Sequence, residues 1–314
     1  MLAYLLNLTV LLGIAIILAW SLNVLIGYAG IFSVMHAAFY GVGAYVAAQF
    51  ALHVSSDFIL ATLAAMAVTG ALAFLVAVPV LRVREEYFVV AAIGFQMVAS
   101  TLFITWDDAT GGMGGLTGIP PATLFGYQLV SPLAYLALTL VCALGCMLVL
   151  LALVHSPFGR ALKALRDDET AAVALGKHPV MLRLIATSIG GAMAAIGGSL
   201  YAFYVSFVNP ESFTLDYSVL LMTMVIIGGA GSMLGPVLGA VFITAFPALL
   251  NFLQVPSNVL GPVQQIVYGM MIVLLMLFMP EGLVSVGKIV RGRRARASKR
   301  PRGDERIALP EQGR

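Results

Sequence analysis

No lysine or arginine occurs before Arg82, between Arg84 and Arg160, or between Arg183 and Lys288. Only 10% of the residues are charged and 61% are hydrophobic, whereas a soluble domain carries roughly 25% charge. Gaps of that length exclude a fold whose whole surface meets water. Acidic residues are also missing from the middle of every long apolar run, so the chain lacks the intramembrane carboxylates that usually relay protons. Its two cysteines, Cys142 and Cys146, exclude a disulfide framework and are too few for a metal site. At i, i+4 inside an apolar run they read as small packing residues. No G-x-x-x-x-G-K-[ST] loop exists: Gly176-Lys177 and Gly287-Lys288 are followed by His178 and Ile289, without a correctly spaced glycine before them. ATP binding by that route is excluded, and nothing has the pattern of a hydrolytic triad, a zinc site or a cofactor loop. The first residues hold no basic stretch and no small-residue cleavage site, so the opening apolar run reads as a retained span.

What remains is apolar length. A spanning helix needs about 20 apolar residues, and the mean hydropathy is +1.01. The sequence predicts an all-α, polytopic integral membrane bundle, with spans near 3–22, 33–53, 58–80, 87–106, 132–154, 184–208, 217–230, 233–250 and 263–285. All 17 cations fall at Arg82 and Arg84, in 160–183, and in 288–314, while the intervening loops carry Asp57, Asp107, Asp108, Glu211 and Asp216. By the positive-inside rule the three cationic places are cytoplasmic. Asp216 then lies outside and Lys288 inside, which requires an odd number of crossings between them. Upstream of Asp57 the charges decide nothing: two crossings give nine spans with the N-terminus outside, one crossing gives eight with it inside. The membrane domain covers 1–287. The tail 288–314 holds ten of the cations and reads as a basic, disordered cytoplasmic anchor against anionic lipid rather than a nucleic-acid binder.

Two glycine breaks echo one another. Ile26-Gly27-Tyr28-Ala29-Gly30 and Ile227-Gly228-Gly229-Ala230-Gly231 share IGxAG, each between two apolar elements. Broken segments in corresponding places point to a central path, and close helix packing through small residues explains them equally well. Polar side chains in the spans must find partners or line a cavity. Asn23 and His36 flank the first break, so Asn23, Gly27, Gly30, Ser33, His36 and Gln96 are the candidate path residues. A packing role for His36 and a helix cap at Asn23 are the alternatives. The glycine-rich stretch 106–132 is a turn-rich outer connector or a surface that a soluble partner approaches.

The cytoplasmic stretch 155–183 begins with Ser156-Pro157, an N-cap followed by the preferred first helical residue. Phe158, Leu162 and Leu165 then make one apolar face. That stripe either packs on its own bundle or is covered by a partner, where each large side chain would contribute roughly 1.5 to 3 kcal/mol.

Here the residues carry a resemblance. GRALKALRDDETAAVALG (159–176) resembles the coupling loop of ABC importer permeases, with Glu169, Ala171, Ala172 and Gly176 approximating its E-A-A then G pattern. LNVLIGYAGIFSVMHAAFYGVGAYVAA (22–48), LRVREEYFVV (81–90), TGGMGGLTGIP (110–120) and VIIGGAGSMLGPVLGAVF (225–242) resemble, in the same order, permease subunits of branched-chain amino acid importers of the LivM type. Nearly the whole chain to about residue 285 is covered. The resemblance implies a non-enzymatic transport subunit of the bacterial inner membrane. ATP and Mg would be bound by two cytoplasmic ATPase subunits, with a second homologous permease subunit and an extracytoplasmic solute-binding protein completing the assembly. It implies ATPase coupling through Phe158, Arg160, Leu162, Leu165, Arg166, Glu169, Ala172 and Gly176. Ile31, Met35 and the run VVAAIGFQMV depart from the family's usual residues, which leaves the cargo open among branched-chain amino acids, other small zwitterions, urea and short amides. A secondary transporter or a passive channel for small neutral solutes is the alternative class.

Overall fold

The computed structural model describes residues 2–81, 85–124 and 126–252, and beyond them Val263, Ile266, Val267, Gly269 and Met270. Arg82, Arg84, most of the 263–285 span and the 288–314 tail lie outside the described residues.

Eleven α-helices stand among the described residues. Leu2–Asn23 (α1) continues into a π-helical turn at Val24–Tyr28. His36–His53 (α2), Phe58–Val80 (α3) and Glu85–Thr105 (α4) follow. After the short Asp107–Thr110 (α5) and the outer loop, Pro132–His155 (α6) returns to the loop that holds Pro157–Asp167 (α7) and Glu169–Ala174 (α8). Pro179–Val205 (α9), Leu215–Gly228 (α10) and Gly235–Phe252 (α11) complete the order. Helix starts sit where the sequence supplies caps: Asp57 Oδ1 accepts from the N–H groups of Ile59 and Leu60 at α3, and Ser156 Oγ accepts from Gly159 N at α7.

Among the described residues, five helices are long and apolar enough to cross a membrane: those containing Tyr4–Tyr28, Phe58–Val80, Tyr87–Thr105, Pro132–His155 and Pro179–Val205. The 14 residues of α10 reach about 21 Å at 1.5 Å per residue, short of a hydrocarbon core of about 30 Å. The sequence expectation of a broken element there matches this shortness, and the chain turns at Gly229 before α11 begins.

Contacts at the helix ends sort the loops onto two faces. Tyr204, at the end of α9, donates to Asn7 Oδ1 at 2.9 Å. Gln49, near the end of α2, donates to the Ala109 carbonyl at 2.6 Å, and Leu116–Thr117 (β1) pairs with Phe207–Val208 (β4). The start of α1, the end of α2 and the acid-bearing loops thus share one face, whereas Gly27 at the far end of α1 touches Arg166 of the cationic loop. The first helix therefore runs between the faces, with its start opposite the cationic loop. The loop at 106–132 holds short backbone pairings. It carries β1, and a hairpin of Thr123–Leu124 (β2) and Tyr127–Gln128 (β3).

Small residues let the central helices α1, α2, α3 and α9 approach closely, as membrane packing demands. A Cβ at Gly43 would lie 2.5 Å from Ala195 Cα, and one at Gly191 would lie 2.6 Å from Ala73 Cβ. Leu18, Phe39, Ala195 and Phe203 are buried at this seam.

Candidate translocation and coupling site

The π-helical end of α1 brings a helix terminus against the cationic loop. Its last turn exposes the Gly27 carbonyl, which has no successor in the helix because the chain leaves at Ala29. Arg166 Nη1 of α7 donates to that carbonyl at 2.5 Å, and Lys163 Nζ stands 5.5 Å from the Tyr28 ring centroid. Two cations thus meet the negative end of a helix dipole. The second break closes on the same point: Asn23 Oδ1 accepts from Gly231 N, and Asn23 Nδ2 donates to the Ser232 carbonyl, both at 2.9 Å. Trp20 Nε1 donates to the Met233 carbonyl at 2.9 Å. Gly30 (φ +70°) and Gly231 (φ +78°) occupy the same place in the two IGxAG motifs and share the left-handed conformation that glycine accepts without strain. A Cβ at Gly27 would lie 2.3 Å from Gly231 N. The two echoing motifs are in direct contact.

From Ala29 the chain runs non-helically to His36, where α2 starts inside the bundle. His36 Nε2 lies 2.7 Å from Ser21 Oγ, and Ser21 precedes Tyr28 by seven residues, about 10 Å along the helix. A helix start at that depth needs partners for its first N–H groups, since lipid offers none. Ser218 Oγ accepts from Ala37 N at 2.8 Å, and Gln96 Oε1 accepts from Ala38 N at 3.0 Å. Gln96 Nε2 donates to the Phe213 carbonyl at 2.8 Å, so its amide is engaged at both ends. By contrast, Ser33 Oγ and His36 Nδ1 are buried with no hydrogen-bond partner among the described residues.

The candidate path residues therefore form two groups. Asn23, Gly27 and Gly30 gather at the cationic face, while Ser33, His36 and Gln96 lie about the start of α2. All but Gly30 are buried within this chain. Between the groups and the loop, Gly30, Ile31, Phe32, Leu81, Phe88, Val89 and Arg183 line a cavity of about 220 Å³, below the roughly 300 to 1,000 Å³ of ordinary ligand pockets. Sequence reasoning missed Ser21, Ser218 and Ser232. Ser21 and Ser218 are single hydroxyls among apolar neighbours, Ser232 takes part through its backbone carbonyl, and the partner of each lies 15 or more residues away.

In the loop, the apolar stripe is turned inward. Leu162 and Leu165 are 0% and 1% exposed and Phe158 is half-buried against the core. The expectation that these leucines bury area against a partner is corrected: α7 lies on α6, α9 and the π turn, and they fill that seam. Arg160 donates to the His155 carbonyl at 2.9 Å, and Glu169 pairs with Arg183 at 2.8 Å, tying α8 to the start of α9. Asp168 separates α7 from α8 and caps α8, accepting from Ala171 N at 3.0 Å. Ala172 is buried and Ala171 exposed. Gly176 (φ +76°) ends α8, with its N–H on the Val173 carbonyl and Lys177 N on the Ala172 carbonyl, the paired bonds of a Schellman turn. The surface left open holds Ala164, Asp167, Thr170, Ala171, Ala174 and Leu175.

Residues 4–276 match the family described as branched-chain amino acid transport system, permease component. The chain belongs to that family. The permease is 31% identical over 295 residues to the high-affinity branched-chain amino acid transport system permease protein LivM of Salmonella typhimurium, covering 86% of this chain and 68% of that protein. It is 30% identical to LivM of Escherichia coli K12 over the same shares. It is 29% identical over 133 residues to the autoinducer 2 import system permease LsrC of Photorhabdus laumondii, covering 41% of this chain and 38% of the relative. No solved structure matches it. The permease is thus a multi-pass membrane transport subunit.

Proposed function

We propose that the permease is one of two transmembrane halves of an ATP-driven importer for a small net-neutral solute, a branched-chain amino acid or a related zwitterion or amide. The observation that carries this reading is the divided loop surface. One face of α7 is consumed by the bundle, while Ala164, Asp167, Thr170, Ala171, Ala174 and Leu175 stay open on the cationic side. Leu175 is 77% exposed. A small-residue ridge with an apolar tip fits a groove on an ATPase subunit. Glu169, Arg160 and Gly176 would hold the ridge in shape rather than touch the partner. ATP and Mg would be bound by those subunits, and a solute-binding protein would dock on the loops of the opposite face.

The cargo reading rests on chemistry near the start of α2. Ser33, His36 and Gln96 bring a hydroxyl, an imidazole and an amide but no Asp, Glu, Lys or Arg, which suits a solute without net charge. Ser33 Oγ and His36 Nδ1, buried and unpartnered among the described residues, would gain a partner when 29–35 opens to a path shared with the second permease subunit. LsrC relatives import a different cargo by their name, so the family alone does not choose among solutes.

Uptake into proteoliposomes tests the reading, with the permease reconstituted beside its second subunit, the ATPases and the binding protein. Labelled leucine and labelled urea are offered with and without internal ATP. ATP-dependent accumulation is expected; flux without the ATPases would instead indicate a channel, and collapse with an ionophore at constant ATP a secondary transporter.

A further inference from the structure

One side chain touches all three moving parts that the proposed cycle needs. Arg166 begins on α7, in the loop. Its stem covers the first break: a Cβ at Gly30 would lie 2.9 Å from Arg166 Cγ. Its Nη1 bonds the Gly27 carbonyl and stands 2.8 Å from where a Cβ of Gly231 would be, so it covers the second break as well. Nε and Nη2 are occupied by Asp167 Oδ1, at 3.0 and 2.8 Å, which fixes the plane of the guanidinium. Gly27 and Gly231 are further joined through Asn23.

We propose that Arg166 transmits displacement of α7 to both glycine breaks at once, as a positioning residue whose Nη1 reaches into this chain while the rest of the side chain stays partly exposed. This role rests on the importer reading and differs from a charge that orients a partner. Three features support it. Glycine at 30 and 231 leaves room for the arginine stem and fork, since a Cβ at either place would press into it. The carbonyl it binds ends a helix, so the bond is charge-assisted and favoured by the dipole. Leu162 and Leu165, buried beside it, make α7 move as a body with its seam rather than slide free.

The consequence is a separation of two quantities that normally move together. Without the guanidinium, α7 and α8 still present the open ridge, so ATPases bind and hydrolyse, but the breaks no longer follow. In the reconstituted complex, Arg166→Ala should assemble, keep ligand-stimulated hydrolysis within about twofold, and lose about tenfold in solute moved per ATP hydrolysed. A tenfold change corresponds to about 1.4 kcal/mol, the low end for a hydrogen bond to a charged group. Arg166→Lys, which keeps a charge for Gly27 but not the fork held by Asp167, should fall between the two. Proportional loss of hydrolysis and uptake would overturn the proposal in favour of a docking residue, and an unchanged ratio would make Arg166 a bystander. If Arg166→Ala fails to assemble, Arg166→Lys decides: an assembled complex with a lowered ratio upholds the role, while a wild-type ratio or failed assembly rejects it. Absence of ATP-dependent uptake in the wild type would instead refute the importer reading itself, before either variant is measured.

Discussion

Asn23 bonds the two backbone groups that flank the Gly231–Ser232 peptide, accepting from the Gly231 N–H and donating to the Ser232 carbonyl. An amide side chain matches that pair; neither a carboxylate nor a hydrocarbon can do both.

Asn23→Leu should therefore leave two backbone groups without partners in the bundle, at about 1 to 3 kcal/mol each. The expected outcome is a clear fall in the thermal unfolding midpoint of the detergent-purified permease, with Asn23→Asp falling less because the acceptor survives. An unchanged midpoint for Asn23→Leu would show that the second break is held by other bonds.

The two faces of the loop give opposite phenotypes for the same chemical change. Leu165→Asp places a carboxylate in the seam, and with loss of a buried leucine worth about 2 to 5 kcal/mol the permease itself should be unstable. Leu175→Asp should leave folding intact and reduce copurification of the ATPases. Monodisperse Leu165→Asp protein that has merely lost the ATPases would reverse the assignment of the faces.

At Gly176 the backbone is left-handed and a Cβ would meet nothing within 4 Å, so conformation rather than crowding sets the outcome. Gly176→Asn should retain ATPase binding because asparagine tolerates this region, whereas Gly176→Val should weaken it. Equal binding by the two variants would argue against a requirement for the Schellman turn.

Sidedness is checked with single cysteines and an impermeant reagent. Tyr4→Cys, at a position 57% exposed, should label from outside intact cells, and Leu175→Cys only after permeabilisation. Labelling of both from one side would contradict a first helix that runs between the faces.

Much of the fold was readable because charge and capping mark the ends of apolar runs. The span expected at 58–80 matches α3, since Asp57 caps one end and Arg82 follows the other. The run expected at 184–208 begins earlier, at Pro179: apolarity stops at Arg183, but the helix continues past it because Glu169 satisfies that cation. Gln96 could be recognised as a polar residue in need of a partner, yet apart from Ser100 its partners Ala38, Phe213 and Ser218 lie 58 to 122 residues away. The stripe of Phe158, Leu162 and Leu165 was visible for the same reason that what covers it was not: periodicity shows a face, and only packing shows its neighbour. IGxAG was seen twice, while the contact between its two copies depends on Asn23, which the motif does not contain.

The buried start of α2 has a consequence for synthesis. Two of its first N–H groups, those of Ala38 and Ala37, bond Gln96 and Ser218, which leave the ribosome 58 and 181 residues after the groups they serve. A nascent chain that stops before Ser218 thus holds an α1 and α2 pair whose membrane-level helix end is only partly closed, and hydrocarbon cannot stand in for the missing hydroxyl. The first hairpin made is among the last to be finished, so the opening third of the chain should stay protease-sensitive in stalled chains ending before residue 218 and become resistant in chains that extend past α10.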